Sequence, residues 1–305
     1  MTLPIPYVSV VIPAYNAAQV ITEALVSVAA QTMTDYEVIV VNDGSTDETE
    51  LILKRVCLEE RLAVQVVTQP NGGVANARNS GILRSRGRYV AFLDADDTWY
   101  PTKLERAKAF LDTHSETDLL SHHLMIVRDG HPVRVTKAGP YTRFEDLLYR
   151  RNKVWTSAVV VDATKLKAGE LFSERRDFAG VEDYDLWLRL SKVMTFGYLD
   201  EIQGTYRISS DGFMQNIESH TAHVLGVLEH HFASEPGKSI AKNRRRADAI
   251  RFGGVQWQRI GRFAEARRYY WDALHRNPFN LLTWGLLASS FLPQSWMPHR
   301  FGSLR

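Results

Sequence analysis

The feature that most constrains this chain is the strict alternation of apolar runs and amphipathic stretches over its first hundred residues. Residues 8–12 (VSVVI) form an unbroken apolar run, and Val20, Ile21, Ala24, Leu25 and Val28 then share one helical face. Residues 36–41 (YEVIVV) repeat the run in the form taken by strands buried on both faces. Ser45-Thr46-Asp47-Glu48 reads as a capping box for the next helix, Ser45 accepting from the backbone and Glu48 reaching back. Residues 63–68 predict a third strand, 74–86 a helix and 88–93 (RYVAFL) a fourth strand. Strand and helix in turn at this spacing predict a doubly wound α/β domain.

Beyond Trp99-Tyr100-Pro101 the alternation loosens. A helix is expected over 101–112, strands over 119–128, 132–136 and 154–161, an amphipathic helix over 184–192 and a closing strand over 204–208. The remainder reads as helical, which divides the chain into an α/β domain, 1–215, and an all-helical extension, 216–305. Residues 260–278 place Gly261, Ala264, Ala266, Tyr269, Ala273 and Pro278 where a single tetratricopeptide-like hairpin needs small and turn residues. A helical cap on the main domain fits the same residues.

The formal net charge of +2 conceals an uneven distribution. Residues 1–237 carry 24 Lys and Arg against 32 Asp and Glu, whereas 238–305 carry 13 against 3. This asymmetry fits either two parts that meet different partners or a solvated basic face on the second. Lone Cys57 excludes an internal disulfide and suits a reducing compartment. No secretory signal precedes the first strand, and the longest apolar stretch, 281–292, is shorter than the ~20 residues a spanning helix needs. The expectation is a cytoplasmic protein.

Polar groups gather where the strands end. Pro13-Ala14-Tyr15-Asn16 follows the first strand, Asn42-Asp43-Gly44-Ser45 the second, Asn71-Gly72-Gly73 the third and Asp94-Ala95-Asp96-Asp97 the fourth. In a parallel α/β sheet, ligands bind outside those carboxyl ends. Three carboxylates within four residues repel one another unless a cation or donors neutralise them, and a hard divalent ion shared with phosphate oxygens would do so. A helix N-terminal acidic cluster is the plainer reading. Asp43 can accept from a base N–H or a ribose hydroxyl, or close an Asx turn with Gly44. Arg78 can pair with phosphate oxygens or stand as a solvated helix arginine. Glu182 and Asp183 open a helix, where one carboxylate can cap and the other can take a proton from an attacking hydroxyl. Trp155 can offer an aromatic face to a ligand or pack in the core. His114, His122, His123 and His131 form no metal site by spacing alone.

Five segments in order carry a resemblance: VSVVIPAYNAAQVITEALVSVAAQT, YEVIVVNDGSTDET, NGGVANARNSGI, GRYVAFLDADD and VEDYDLWLRL. Over residues 7–208 the chain resembles the family 2 glycosyltransferases of GT-A fold, with a Rossmann-like mixed sheet. The resemblance implies an inverting transferase acting on a nucleotide diphosphate sugar, a UDP-sugar by preference, and a glycan or lipid-linked acceptor. It implies a donor nucleotide against Pro13, Ala14, Tyr15 and Asn16, with Asp43, Asn71, Arg78, Asp94, Ala95 and Arg207 as further donor contacts. Mn²⁺ or Mg²⁺ would be held by Asp96 with Asp94, Asp97 assisting. Asp183 matches the catalytic base, with Glu182 beside it. The chain departs from the pattern at Ser209, where many relatives have a histidine near metal or diphosphate; serine is no equivalent ligand.

Two other classes are weighed against transfer. A nucleotidyltransferase would need a phosphate loop with glycine and lysine after the first strand, which Pro13-Ala14-Tyr15-Asn16 lacks. A non-catalytic nucleotide-sugar-binding protein would not need Asp94, Asp96 and Asp183 together, and no nucleic-acid partner is expected. The basic tail (Lys242, Arg244, Arg245, Arg246, Arg251, Arg259, Arg262, Arg267, Arg268, Arg276) precedes the apolar 281–292 segment and Trp296, Met297, Pro298 and Arg300. It reads either as a peripheral contact with the inner face of a membrane or as a helix packed on the domain.

Overall fold

The computed structural model describes residues 4–139, 143–168, 171–208 and 217–292. In chain order these form β1 (Val8–Ala14), α1 (Ile21–Ala29), β2 (Tyr36–Asp43), α2 (Thr49–Glu59), β3 (Val64–Gln69), α3 (Val74–Arg84), β4 (Tyr89–Phe92), β5 (Thr98–Trp99), α4 (Lys103–Thr113), β6 (Leu119–Arg128), β7 (His131–Val135), α5 (Phe144–Tyr149), β8 (Val160–Asp162), α6 (Ala163–Lys167), α7 (Glu182–Leu190), β9 (Phe196–Ile208), α8 (Ile217–Ala233), α9 (Ser239–Arg259), α10 (Phe263–Arg276) and α11 (Leu281–Ser289). Contacts divide the chain into two units. One holds 1–147, 151–175 and 182–208; the other holds 148–150, 176–181 and 209–305.

The first unit is built on one mixed sheet of order β3-β2-β1-β4-β8-β6-β9-β5, with β7 on the free part of β6. Strands β1 to β4 are parallel, and the apolar runs of β1 and β4 are buried throughout, as the interior of a parallel sheet requires. Strand β8 runs antiparallel to both β4 and β6, and β9 pairs parallel with β6. One face of the sheet buries Val10, Ile12, Val38 and Val40 against Ile21, Ala24, Leu25 and Val28 of α1, together with Leu53 and Val56 of α2. On the other, α3 approaches so closely that a side-chain carbon at Gly81 would collide with Val11. Trp187 of α7 is fully buried against Phe92 and Phe172, and this anchors the helix that carries Glu182 and Asp183.

The order 3-2-1-4 reverses direction between β1 and β4, so the loops leaving those two strands diverge and leave a crevice at their carboxyl ends. Two local expectations fail. The span 154–161 is not one strand: Thr156–Ala158 is a 3₁₀ turn, and only Val160–Asp162 joins the sheet. The capping box does not form either. Asp47 instead accepts from the Thr49 amide at 3.0 Å, while Ser45 Oγ crosses to the Asn16 amide at 3.0 Å.

In the second unit α9 and α10 pair about the turn at Gly261, whose φ of 78° suits glycine. Gly253 and Gly254 lie against the rings of Tyr269 and Tyr270, where any side chain would clash. Ala266, Tyr270 and Leu274 then pack on Leu286 and Leu287 of α11. No helix among the described residues is long and apolar enough to cross a membrane.

Candidate active site

The crevice between β1 and β4 is lined by chain segments tied to one another. Asn16, at φ 47°, follows β1 and accepts from the Thr46 amide at 2.8 Å, while Asp47 accepts from the Ala18 amide at 3.1 Å. The β1 and β2 loops are thereby fixed together. Pro13 and Ala14 are the last, buried residues of β1, and Tyr15 beyond them is exposed.

Asp43 takes a role that the sequence did not show. Its Oδ1 accepts from Gln69 Nε2 at 2.7 Å and from the Gly72 amide at 3.0 Å, and its Oδ2 from the Gly73 amide at 2.8 Å. The buried carboxylate is therefore a clamp on the Asn71-Gly72-Gly73 loop rather than an Asx turn with Gly44, and three donors already occupy it. Asn71 remains exposed at the loop's tip.

Arg78 also departs from expectation. It lies on α3, buried rather than solvated, and each terminal guanidinium nitrogen holds a carboxylate: Nη1 donates to Glu182 and Nη2 to Asp94, both at 2.6 Å. These bonds tie the loop after β4 to the start of α7, 104 residues apart in sequence for the Glu182 pair. Arg78 is thus an internal counter-ion to Asp94 and Glu182, and its Nε is buried without a hydrogen-bond partner among the described residues.

Within the acidic cluster the carboxylates have separate surroundings. Asp97 is buried, with Oδ2 accepting from Ser157 Oγ at 2.5 Å and Oδ1 from the Arg207 amide at 2.9 Å. Burial, then the charges of Asp96 and Asp94, pushes it well above the usual carboxylate range. Asp97 therefore braces the loop from beneath. Ser157 also accepts from the Asp94 amide at 3.1 Å, and its carbonyl accepts from Trp99 Nε1 at 2.8 Å. Asp96 lies on the open side, beyond half-exposed Ala95. Solvent reaches it, yet the protein around it removes enough water, and Asp94 adds enough repulsion, to raise it to about 6.

Asp183 lies where α7 begins. Its Oδ2 accepts from Thr156 Oγ1 at 3.2 Å and its Oδ1 from the Tyr184 amide at 2.6 Å. Burial and the neighbouring Glu182 charge raise it to about 7, against the lowering effect of Arg78. Such a carboxyl is matched to proton transfer near neutrality. Glu182 faces inward to Arg78, so the two adjacent acids have different tasks. Half-buried Trp155 precedes the Thr156 turn and meets Tyr206 at 4.9 Å between ring centroids. Burial and the charges of Asp97, Asp94, Asp96 and Asp183 all raise the Tyr206 phenol, which keeps it protonated beside them. Arg207 pairs with Glu23 of α1. Ser209 lies outside the described residues, as do Trp296, Met297, Pro298 and Arg300.

No group of three or more His, Cys, Asp or Glu among the described residues is arranged to hold a metal ion unaided. The residues nonetheless fit a hard divalent ion completed by substrate oxygens. Asp96 is an open carboxylate two residues from Asp94, and a Mg²⁺-type site commonly uses one or two carboxylates plus phosphate. Of the residues found here, sequence reading missed Ser157, Thr156, Tyr206 and Glu23. The first two stand in the apolar stretch 154–161, where an expected strand made them pass for ordinary strand positions.

The model of the family described as glycosyl transferase family 2 matches residues 9–166. TuaG of Bacillus subtilis strain 168, named as a glycosyltransferase of teichuronic acid biosynthesis, is 32% identical over 69% of this chain and 82% of its own. Among solved structures, S. aureus TarS 1-349 in complex with UDP-GlcNAc aligns with a TM-score of 0.64 at 20% identity, covering 93% of this chain and 89% of that one. A mannosyltransferase from Pyrobaculum calidifontis, in complex with GDP-Man and Mn²⁺, aligns at 0.61 and 18% identity, over 98% and 83% of the two chains. These likenesses establish the same α/β fold with helices after the sheet.

Proposed function

The chain belongs to glycosyl transferase family 2 and is a glycosyltransferase, and from that premise we propose that it is a metal-dependent, inverting enzyme of cell-surface polysaccharide synthesis. It would move a sugar from a nucleotide diphosphate donor to a hydroxyl of a glycan or lipid-linked acceptor. The observation that carries this reading is the Asp94–Arg78–Glu182 bridge, which holds the acidic loop and the helix of Asp183 in one site. The polysaccharide context rests on the TuaG relative, and a UDP-sugar donor on the fold shared with TarS.

In this reading the nucleotide lies in the crevice beside Pro13, Ala14, Tyr15 and Asn16, within reach of Asn71. Asp96, with Asp94, would hold a divalent ion, which supplies charge neutralisation to a departing diphosphate. Arg207, tethered through Glu23, adds positive charge near Asp96. Trp155 offers a half-buried aromatic face to the acceptor.

Asp183 takes the proton of the acceptor hydroxyl. The acceptor oxygen forms a bond to the anomeric carbon as the bond from that carbon to the diphosphate oxygen breaks on the opposite face, with the electron pair leaving on the diphosphate. One displacement inverts the centre, by the geometric logic of inverting glycosidases. Thr156 and the Tyr184 amide hold the carboxylate for this work.

The test is a panel of nucleotide sugars incubated with the protein and Mn²⁺ or Mg²⁺, reading released nucleoside diphosphate with and without EDTA. The expected result is metal-dependent release from one donor, lost in Asp96→Ala. Release that ignores both EDTA and Asp96→Ala would overturn the metal assignment.

A further inference from the structure

The second unit carries an aromatic and aliphatic strip on its surface. Phe279 is 90% exposed and Leu281 83% exposed, in and just after the turn from α10 to α11. Behind them Trp271 of α10 meets Trp284 of α11 edge to face at 5.7 Å, and both rings stand about half exposed. At the far end Arg267 lies over the ring of Phe291 at 4.7 Å, with its Nη1 on the Ser290 carbonyl at 2.9 Å. Isolated exposed apolar residues are ordinary, but a run of large aromatic ones along two adjoining helices marks a contact surface.

Three observations point to the occupant. First, residues 238–305 hold 13 Lys and Arg against 3 Asp and Glu, which draws this region to an anionic surface and makes two copies repel each other. Second, Trp284 Nε1 already donates to the Pro278 carbonyl at 2.8 Å. The ring can therefore enter an apolar medium without an unsatisfied donor, and tryptophan favours the level of lipid headgroups. Third, α11 has nine residues, about 14 Å of helix against the ~30 Å of a hydrocarbon core, so it can lie in an interface but cannot span one.

We propose that the α10–α11 turn and the strip behind it seat this protein on an anionic bilayer surface. Phe279 and Leu281 enter the acyl boundary, Trp271 and Trp284 stand at headgroup level, and Arg267, over the Phe291 ring, adds positive charge along the strip. This docking is independent of the transfer chemistry assigned above, since none of these residues belongs to that site.

The experiment is flotation of the full chain with phosphatidylcholine vesicles, with and without phosphatidylglycerol, comparing wild type with the double variant Phe279→Ser/Leu281→Ser. Wild type should float with the anionic vesicles, less so at high salt. The double variant should partition at least about tenfold more weakly with an unchanged melting temperature, because two large side chains no longer leave water. Three results would overturn the proposal: no flotation of wild type, equal flotation of the variant, or flotation lost only on removing 293–305. Light scattering run alongside supplies a fourth, since a dimer abolished by the double variant without vesicle binding would make this strip a protein interface.

Discussion

Arg78 shows how one residue can hold a site together. Its guanidinium pairs with Asp94 and Glu182, and it also restrains the rise of Asp183. Replacing it with methionine leaves Glu182 buried without a partner, which should cost about 3–5 kcal/mol in urea denaturation. The same variant should move the acid limb of the transfer rate upward, because the guanidinium no longer favours the Asp183 carboxylate. In the unaltered protein that limb should fall near pH 7: below it Asp183 is protonated and kcat/KM drops about tenfold per pH unit, above it the rate is flat. A rate independent of pH between 5.5 and 8, with metal saturating, would contradict the assignment.

At the scale of elements, the strand ends do most of the positioning, and there the sequence was most informative. Strands β1, β2 and β4 were legible because a strand buried on both faces needs a continuous apolar run, whereas the partly exposed β3 was legible from Val64, Val66 and Val67. Their polar ends were legible for the same reason, since the run stops where they begin. The short strands β5 and β8 were not, because two or three residues carry no period and exist only through pairing with β9, β4 and β6. The roles of Asp43, Asp97 and Arg78 were hidden for a related reason: a residue's type announces charge, but its partners here lie 16 to 110 residues away. Gly44 tests the clamp directly. At φ 73° it passes so near the Asn71 loop that an added Cβ would sit 2.7 Å from the Asn71 backbone nitrogen. Gly44→Ala should destabilise by about 1–3 kcal/mol and weaken donor binding, read by calorimetry. Donor affinity equal to wild type would detach this loop from the nucleotide site.

For the whole molecule, the acidic cluster and Asp183 should set how stability responds to pH. Asp183 and Asp96 bind protons more tightly in the fold than in the open chain. What they contribute to stability is therefore present below about pH 4 and is lost as pH rises through about 6 to 7. At pH 8 the site holds charge at the expense of the fold, so Mn²⁺ should raise the melting temperature there by several degrees and far less at pH 5, where protons already compensate the cluster. Equal stabilisation at the two values would mean that the ion binds elsewhere.

The most direct test of the account is Asp183→Asn, with donor affinity and transfer rate measured on one preparation. The amide keeps the shape of the carboxyl but cannot take a proton. Donor dissociation constants within about threefold of wild type, with transfer lowered by about 10²–10⁴, are the predicted result. Transfer at the wild-type rate in that variant would mean that another group takes the proton, and the central assignment would fall.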